Sequence, residues 1–278
     1  VRVEKEIVEK EKIVVKKQVI KEQVPVIFKR LVISVLSNTE FACELAYNIA
    51  KMARCRVLLL NLDFLSGHVD IYFNLSDNQP EQNAASPTDG SMLDSCILVE
   101  DSLYLLTGPA GYEVLEKCRS TDYTALVESC YREFDVSIIS LGFPLEGFAV
   151  GILQRSDFCI LPNCTNTVKV KEAKELLEHV GRKYSIPADK FSFLAFEHKK
   201  GVNLPSTILK RIYGKSFMDC IPYDPAREAY RDREDKTGFY ARYAFLRNKK
   251  SYQNLLRAMD IPFQISFWDS FTSFFRGY

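Results

Sequence analysis

A succession of short apolar runs, each followed by a helix-patterned stretch, is the feature that most limits what this chain can fold into. "RVLLLNL" at 56–62 is apolar at nearly every position. A strand of that kind is covered on both faces, as in a parallel sheet. Comparable runs are "VIFKRLVISVLS" from Val26, "SLYLLTG", "DVSIISLGFP", "DFCILPN", "FSFLAFEH" and "SFMDCIPYD". Between them lie helical patterns. "EFACELAYNIAKMA" sets Leu45, Ile49 and Met52 on one stripe, with alanines between. "YTALVESCYREF", "TVKVKEAKELLEHVGRKY" and "LPSTILKRIYG" also read as helices, and "VGILQRS" as helix or turn. Strands alternating with helices predict a doubly wound α/β fold: a mostly parallel sheet with helices on both faces.

The bulk numbers narrow the function classes. With 278 residues, 47% hydrophobic, the chain can bury a sizeable core. A net charge of +1 leaves no overall pull toward nucleic acid or membrane, so any such binding needs a local patch. The apolar runs are strand-sized and too short to span a bilayer. The 8 cysteines form no C-x-x-C pair, and no His lies near Cys159 and Cys164. They read as reduced, cytosolic thiols used as small core residues rather than as metal ligands or disulfides. His68, His179 and His198 lack metal-ligand spacing and read as surface residues. No G-x-S-x-G elbow is present, and no base accompanies Ser37, so a serine hydrolase is not indicated.

Three segments follow from the pattern. Residues 1–25 alternate Lys and Glu with Val and Ile pairs and end at Pro25. They read as an extended charged linker, with a short coiled coil as the alternative, and imply a further domain upstream. Residues 26–260 form the α/β domain, interrupted by the turn-rich, mobile stretch "NLSDNQPEQNAASPTDGS". Residues 261–278 form an aromatic amphipathic tail.

The order of the pieces resembles the ParA/MinD family of P-loop ATPases over roughly Val26 to Met259. "RVLLLNLDFLSGHVDIYFNL" is similar to that family's segment after its first helix, and to the CpaE/TadZ branch in particular, which positions Flp/Tad pilus machinery. "FDVSIISLGFP" sits where the family has its Walker B strand, and "DFCILPNCTNTVKVKEAKELLEHV" matches the strand and helix that follow. "CIPYDPAREA" resembles the family's late "IP-D-x-x-x-x-A" stretch. The resemblance implies a P-loop NTPase fold and a nucleotide site at the end of the first strand.

That site is altered at four of its parts. A P-loop cradles phosphate with backbone N–H groups, which glycines permit, and adds a Lys and a metal-binding Ser or Thr. In "SNTEFAC", spanning Ser37 to Cys43, Thr39 and Phe41 replace glycines. Ala42 stands for the phosphate Lys and Cys43 for the metal-binding Thr. The loop is about two residues short of the family's, and the first glycine of the chain is Gly67. Asn38 or Thr39 would cap the helix, with Glu40 and Glu44 as carboxylates near its N-terminus that repel an anion. Ser140 stands for the Walker B Asp, Asn61 for the first carboxylate of the D-x-D after the second strand, and Phe196 for the adenine-contacting Asn. Asp63 is kept. It reads as a turn or helix cap, with residual catalysis or a polar partner contact as the other options.

The expectation is a pseudo-ATPase, not an enzyme, with no cofactor or metal. It would act as a scaffold or positioning factor in bacterial pilus or secretion-system assembly. It would work in the cytoplasm or at the inner membrane face, with protein partners and a homodimer that no longer depends on nucleotide. The rival is an atypical switch that still binds Mg-ATP, with Lys199 or Lys200 replacing the lost Lys. A third reading is a membrane-surface adaptor.

That reading rests on the tail. Phe267, Trp268, Phe271, Phe274 and Phe275 fall at helical spacing and would pack on the body, a partner or a membrane, although Arg276 is the one basic residue on the polar side. Arg227, Arg231 and Arg233 are interleaved with acids and read as a solvated helix. Arg242, Arg247, Lys249 and Lys250 alternate with Tyr243 and Phe245, a small patch that reads first as plain solvated surface, with a partner, acidic lipid or DNA contact as the alternatives and DNA unfavoured.

Overall fold

The first strand, β1 (Leu31–Leu36), is buried at every position, as a run flanked by neighbours on both sides must be. The structure, a computed structural model, describes residues 29–65, 69–73, 75, 91–100, 102–107, 111–119, 121–142, 147–225, 227 and 239–263. Chain order then gives α1 (Thr39–Ala53), β2 (Val57–Leu62), α2 (Val69–Phe73), β3 (Ile97–Glu100) and β4 (Leu103–Leu106). Next come α3 (Tyr112–Cys118), α4 (Thr124–Glu133), β5 (Val136–Leu141), α5 (Gly147–Arg155) and β6 (Phe158–Leu161). The remainder is α6 (Thr167–Tyr184), β7 (Phe191–His198), α7 (Ser206–Tyr213), β8 (Phe217–Pro222) and α8 (Phe239–Ala258).

The eight strands form one sheet in the order β3-β4-β2-β5-β1-β6-β7-β8. All neighbours are parallel except the edge pair β3 and β4. β3 is a difference from the sequence reading, which assigns no strand to "ILVE". Its four residues are too few for a two-residue alternation to show. β1 starts at Leu31, later than the run from Val26 suggests, and Lys29 and Arg30 precede it as exposed coil.

Helices cover both faces, as the alternation predicts. One face carries Ile33, Val35, Leu59 and Ile138, packed under α1 and α8. The other carries Val32, Leu36, Leu60 and Leu161, packed under α3 to α7. α1 is buried nearly all round, because α8 lies over its outer side through Tyr252, Leu255, Leu256 and Met259. That sandwich explains the alanines, which let two layers approach one helix. All eight cysteines are free, and six of them are buried, as small core residues would be. The linker 1–25, the turn-rich stretch 76–90 and the tail aromatics Phe267, Trp268, Phe271, Phe274 and Phe275 lie outside the described residues, as do Arg231 and Arg233.

Candidate functional site

In a doubly wound sheet, ligands sit beyond the carboxyl ends of the strands. Here the register brings the sequence-selected residues together at that edge. Asn61 of β2 lies opposite Ser140 of β5, and Leu36 closes β1 beside Leu141. The chain crosses from β1 to α1 in two residues, Ser37 and Asn38. Thr39 to Cys43, which the resemblance aligns with the family's phosphate loop, belong to the helix, in line with the helical pattern read from Glu40 onward. Ser37 sits at φ 60°, a left-handed conformation that costs a non-glycine residue roughly 1 kcal/mol.

Asn38 is the N-cap: its side chain accepts the Phe41 N–H at 2.8 Å. Its side-chain nitrogen Nδ2 donates to Asn163 Oδ1 at 3.0 Å, and Asn163 Nδ2 donates to the Ser37 backbone carbonyl at 3.2 Å. Thr39 donates from Oγ1 to Asp63 Oδ2 at 3.1 Å, and Ser140 Oγ lies 3.0 Å from the same hydroxyl. Asp63 also accepts the Leu65 N–H, and Asn61 Oδ1 accepts the Asp63 N–H. Thr39, Asn61, Asp63 and Ser140 are all buried. Gly142 faces this group so closely that a Cβ there would stand 2.6 Å from Asp63 Oδ1. Asp63 therefore ties a turn and the first helical residue together.

One turn into α1, the picture departs from the sequence reading. Glu44 is no exposed carboxylate near the helix end; it is fully buried. Arg227 reaches it in a fork, Nε to Oε1 at 2.9 Å and Nη2 to Oε2 at 3.1 Å, and the Tyr252 hydroxyl donates to Oε2. Arg227 is itself 1% exposed, so it is not part of a solvated ion-pair helix. Its Nη1 lies 3.7 Å from Glu197, a residue set at φ 54° at the irregular end of β7. The guanidinium covers the Phe196 ring at 4.8 Å. Phe41 meets Phe196 edge-on at 5.6 Å and stacks along Tyr252 at 6.4 Å. Burial pushes the Glu44 carboxyl up, against the opposing pull of Arg227 and the Tyr252 hydroxyl. Burial also works against the Arg227 charge, but Glu44 outweighs it and keeps the guanidinium protonated. Ala42 and Cys43 are enclosed beside them, and burial pushes the Cys43 thiol up, which leaves it unreactive.

The remaining candidates are apart from this cluster. Lys199 lies over the Tyr223 ring at 3.9 Å, and Lys200 is exposed. Arg247 pairs with Asp224 at 3.1 Å. His198 bonds the Leu204 carbonyl, and His179 is exposed. Among the described residues no three His, Cys, Asp or Glu side chains gather as a metal ion needs, and no helix is long and apolar enough to cross a membrane.

Sequence reasoning missed Arg227, Tyr252, Asn163 and Gly142. The one local signal was Glu44, a lone carboxylate inside the apolar run "FACELAYNIA", which asks for a buried cation.

An eight-stranded, mostly parallel sheet with these helices is the fold of the ParA/MinD P-loop ATPases. It is similar to MinD in the MinC:MinD cell division complex of Aquifex aeolicus, with TM-score 0.61 and 15% identity over 85% of this chain and 98% of that one. It is also similar to a putative plasmid partition protein of Borrelia burgdorferi bound to AMPPNP, with TM-score 0.60 and 18% identity over 83% and 98%. MinD of Pyrococcus horikoshii, complexed with Mg-ADP, gives TM-score 0.59 and 14% identity over 81% and 98%. No protein-family model and no curated protein matches the sequence.

Proposed function

We propose that this chain is a pseudo-ATPase on the ParA/MinD fold, a scaffold or positioning factor that works without hydrolysing nucleotide. The observation that carries the reading is the two-residue crossing from β1 to α1. A G-x-x-x-x-G-K-[ST] loop wraps several backbone N–H groups around phosphate, and Ser37 and Asn38 leave no length for that. In the first turn the N–H of Phe41 is taken by the Asn38 side chain and that of Ala42 by the Asn38 carbonyl. The hydroxyls at Thr39 and Ser140 are spent on each other and on Asp63. Nor does Phe196 offer adenine a hydrogen bond; its ring is enclosed by Phe41 and Arg227. Mg-ATP does not fit these residues.

The finer placement rests on the sequence resemblance to the CpaE/TadZ branch: assembly of a bacterial pilus or secretion system, at the cytoplasmic side of a membrane, with protein partners and a nucleotide-independent homodimer. The solved MinC:MinD complex shows a neighbouring chain of this fold engaging a protein partner. Isothermal titration of the chain with Mg-ATP and with ADP tests the main reading. No binding heat and no phosphate release are expected; micromolar binding with turnover would overturn it. Liposome co-sedimentation of the full chain and of a variant carrying Ser in place of Phe267, Trp268 and Phe271 tests the membrane-adaptor reading.

A further inference from the structure

The crevice between β1 and β6 has no part in the cluster around Asp63 or in the pair around Glu44. These two strands are neighbours whose onward connections run to opposite sides, β1 toward β2 and β6 toward β7. That is the topological switch point at which doubly wound folds take ligands. A cavity of 360 Å³ opens there, within the general size range of small-molecule sites. Its walls are apolar: Leu36 and Leu161 from the strand ends, Pro162, Cys164, and Ala173 and Leu176 from α6. Its rim is fixed, because Asn163 bridges the Ser37 carbonyl and the Asn38 side chain across the two strand ends. Burial pushes the Cys164 thiol up to about 11, so the floor is an uncharged, unreactive surface.

The mouth differs from the walls. Lys169 and Glu172 line it, in the first turns of α6. α6 has no acidic residue in its first turn, so its positive end and the Lys169 ammonium act in the same sense. Lys169 bonds Glu172 at 2.8 Å, but the two side chains are 48% and 54% exposed. A pair that open to water is worth little and exchanges partners readily.

We propose that this crevice binds a small amphipathic carboxylic acid, its hydrocarbon body between β1, β6 and α6 and its carboxylate on Lys169 in place of Glu172. The apolar walls select the body, and the exchangeable Lys169 ammonium at the mouth selects the acid over the corresponding alcohol. This site is separate from the pseudo-ATPase reading and stands or falls without it.

Isothermal titration of the full chain with decanoate, with 1-decanol as the uncharged control and AMP as an anion lacking an acyl chain, tests the proposal. Decanoate should bind saturably at one site, more tightly than decanol, and AMP should not compete. Ala173→Phe fills the cavity and should weaken decanoate at least about tenfold, the loss expected when a few methylenes lose their cover. Leu176→Trp does the same from the half-buried rim and serves if Ala173→Phe fails to fold. Lys169→Gln should weaken decanoate to the level of decanol. Glu172→Gln should tighten it, because the competing carboxylate is gone. Absence of saturable binding, equal binding of acid and alcohol, competition by AMP, or indifference to both cavity-filling variants would each overturn the proposal.

Discussion

A guanidinium and a carboxylate buried together are stable only when each satisfies the other. Arg227 and Glu44 meet most of that demand through a two-bond fork, with Tyr252 on a third lone-pair site of the carboxylate, while Arg227 Nη1 makes no hydrogen bond and has Glu197 3.7 Å away. Removing one partner strands the other. Arg227→Met is expected to cost about 3–5 kcal/mol, and Arg227→Met with Glu44→Leu markedly less than either change alone. Urea denaturation of the four proteins measures that coupling. Gly142 presents a purely steric constraint. Gly142→Ala must push the Asp63 side chain aside, since the new Cβ would lie 2.6 Å from Oδ1. The expected loss is about 1–3 kcal/mol, shrinking in an Asp63→Ala background, by thermal melts of both pairs. Neither residue could be singled out from its neighbours in the chain. Arg227 stands 183 positions from Glu44, and its own surroundings, "AREAYRDRED", are those of a solvent-exposed helix. Asn61, Ser140 and Phe196 could be placed from the sequence because each lies near the carboxyl end of a strand whose pattern is plain.

At the scale of elements, strands and long helices emerge from the sequence where the pattern is long enough to average over. β2, β5, β7 and α6 fall where their periodicity places them. α2, α3 and β3, at 4 to 7 residues each, carry too few positions to distinguish a period of 2 from one of 3.6. The entry to β1 shows how one side chain anchors an element. Asp157, just before β6, accepts the Val32 N–H at 3.0 Å and the Tyr131 hydroxyl at 2.7 Å, and pairs with Lys29. Burial works against its charge, but Lys29, the Val32 N–H and Tyr131 together hold the carboxyl below the usual range. A lowered folded-state pKa contributes stability above the unfolded value near pH 4 and loses it as pH falls through the folded value. Asp157→Asn should therefore cost about 1–2 kcal/mol at pH 7, and the gap to the parent should close below about pH 4. Denaturant melts of both proteins across pH 2 to about 7 follow that closure.

For the molecule as a whole, the last described helix does for the sheet's first helix what a bound ligand could do elsewhere. α8 lies over α1, and the Glu44 fork and the Phe41, Phe196 and Tyr252 rings close the space between them. Every one of those contacts is made within the chain, which supports the proposal that the closed arrangement holds without nucleotide. Sedimentation velocity should accordingly give the same oligomer distribution with and without Mg-ATP; a shift of that distribution on adding nucleotide would sink this account. The sequence alone determined the class of fold, since apolar runs alternating with amphipathic helices can bury themselves only as a covered parallel sheet. It also determined that the glycines and lysine of a phosphate loop are missing from "SNTEFAC". Only the tertiary structure decided what stands there: a two-residue crossing, Asn38 rather than Thr39 as the cap, and a carboxylate paired with a distant arginine. Periodicity is a local property that any window of the chain carries. The partner of a buried charge is set by where remote segments meet, and no window contains both.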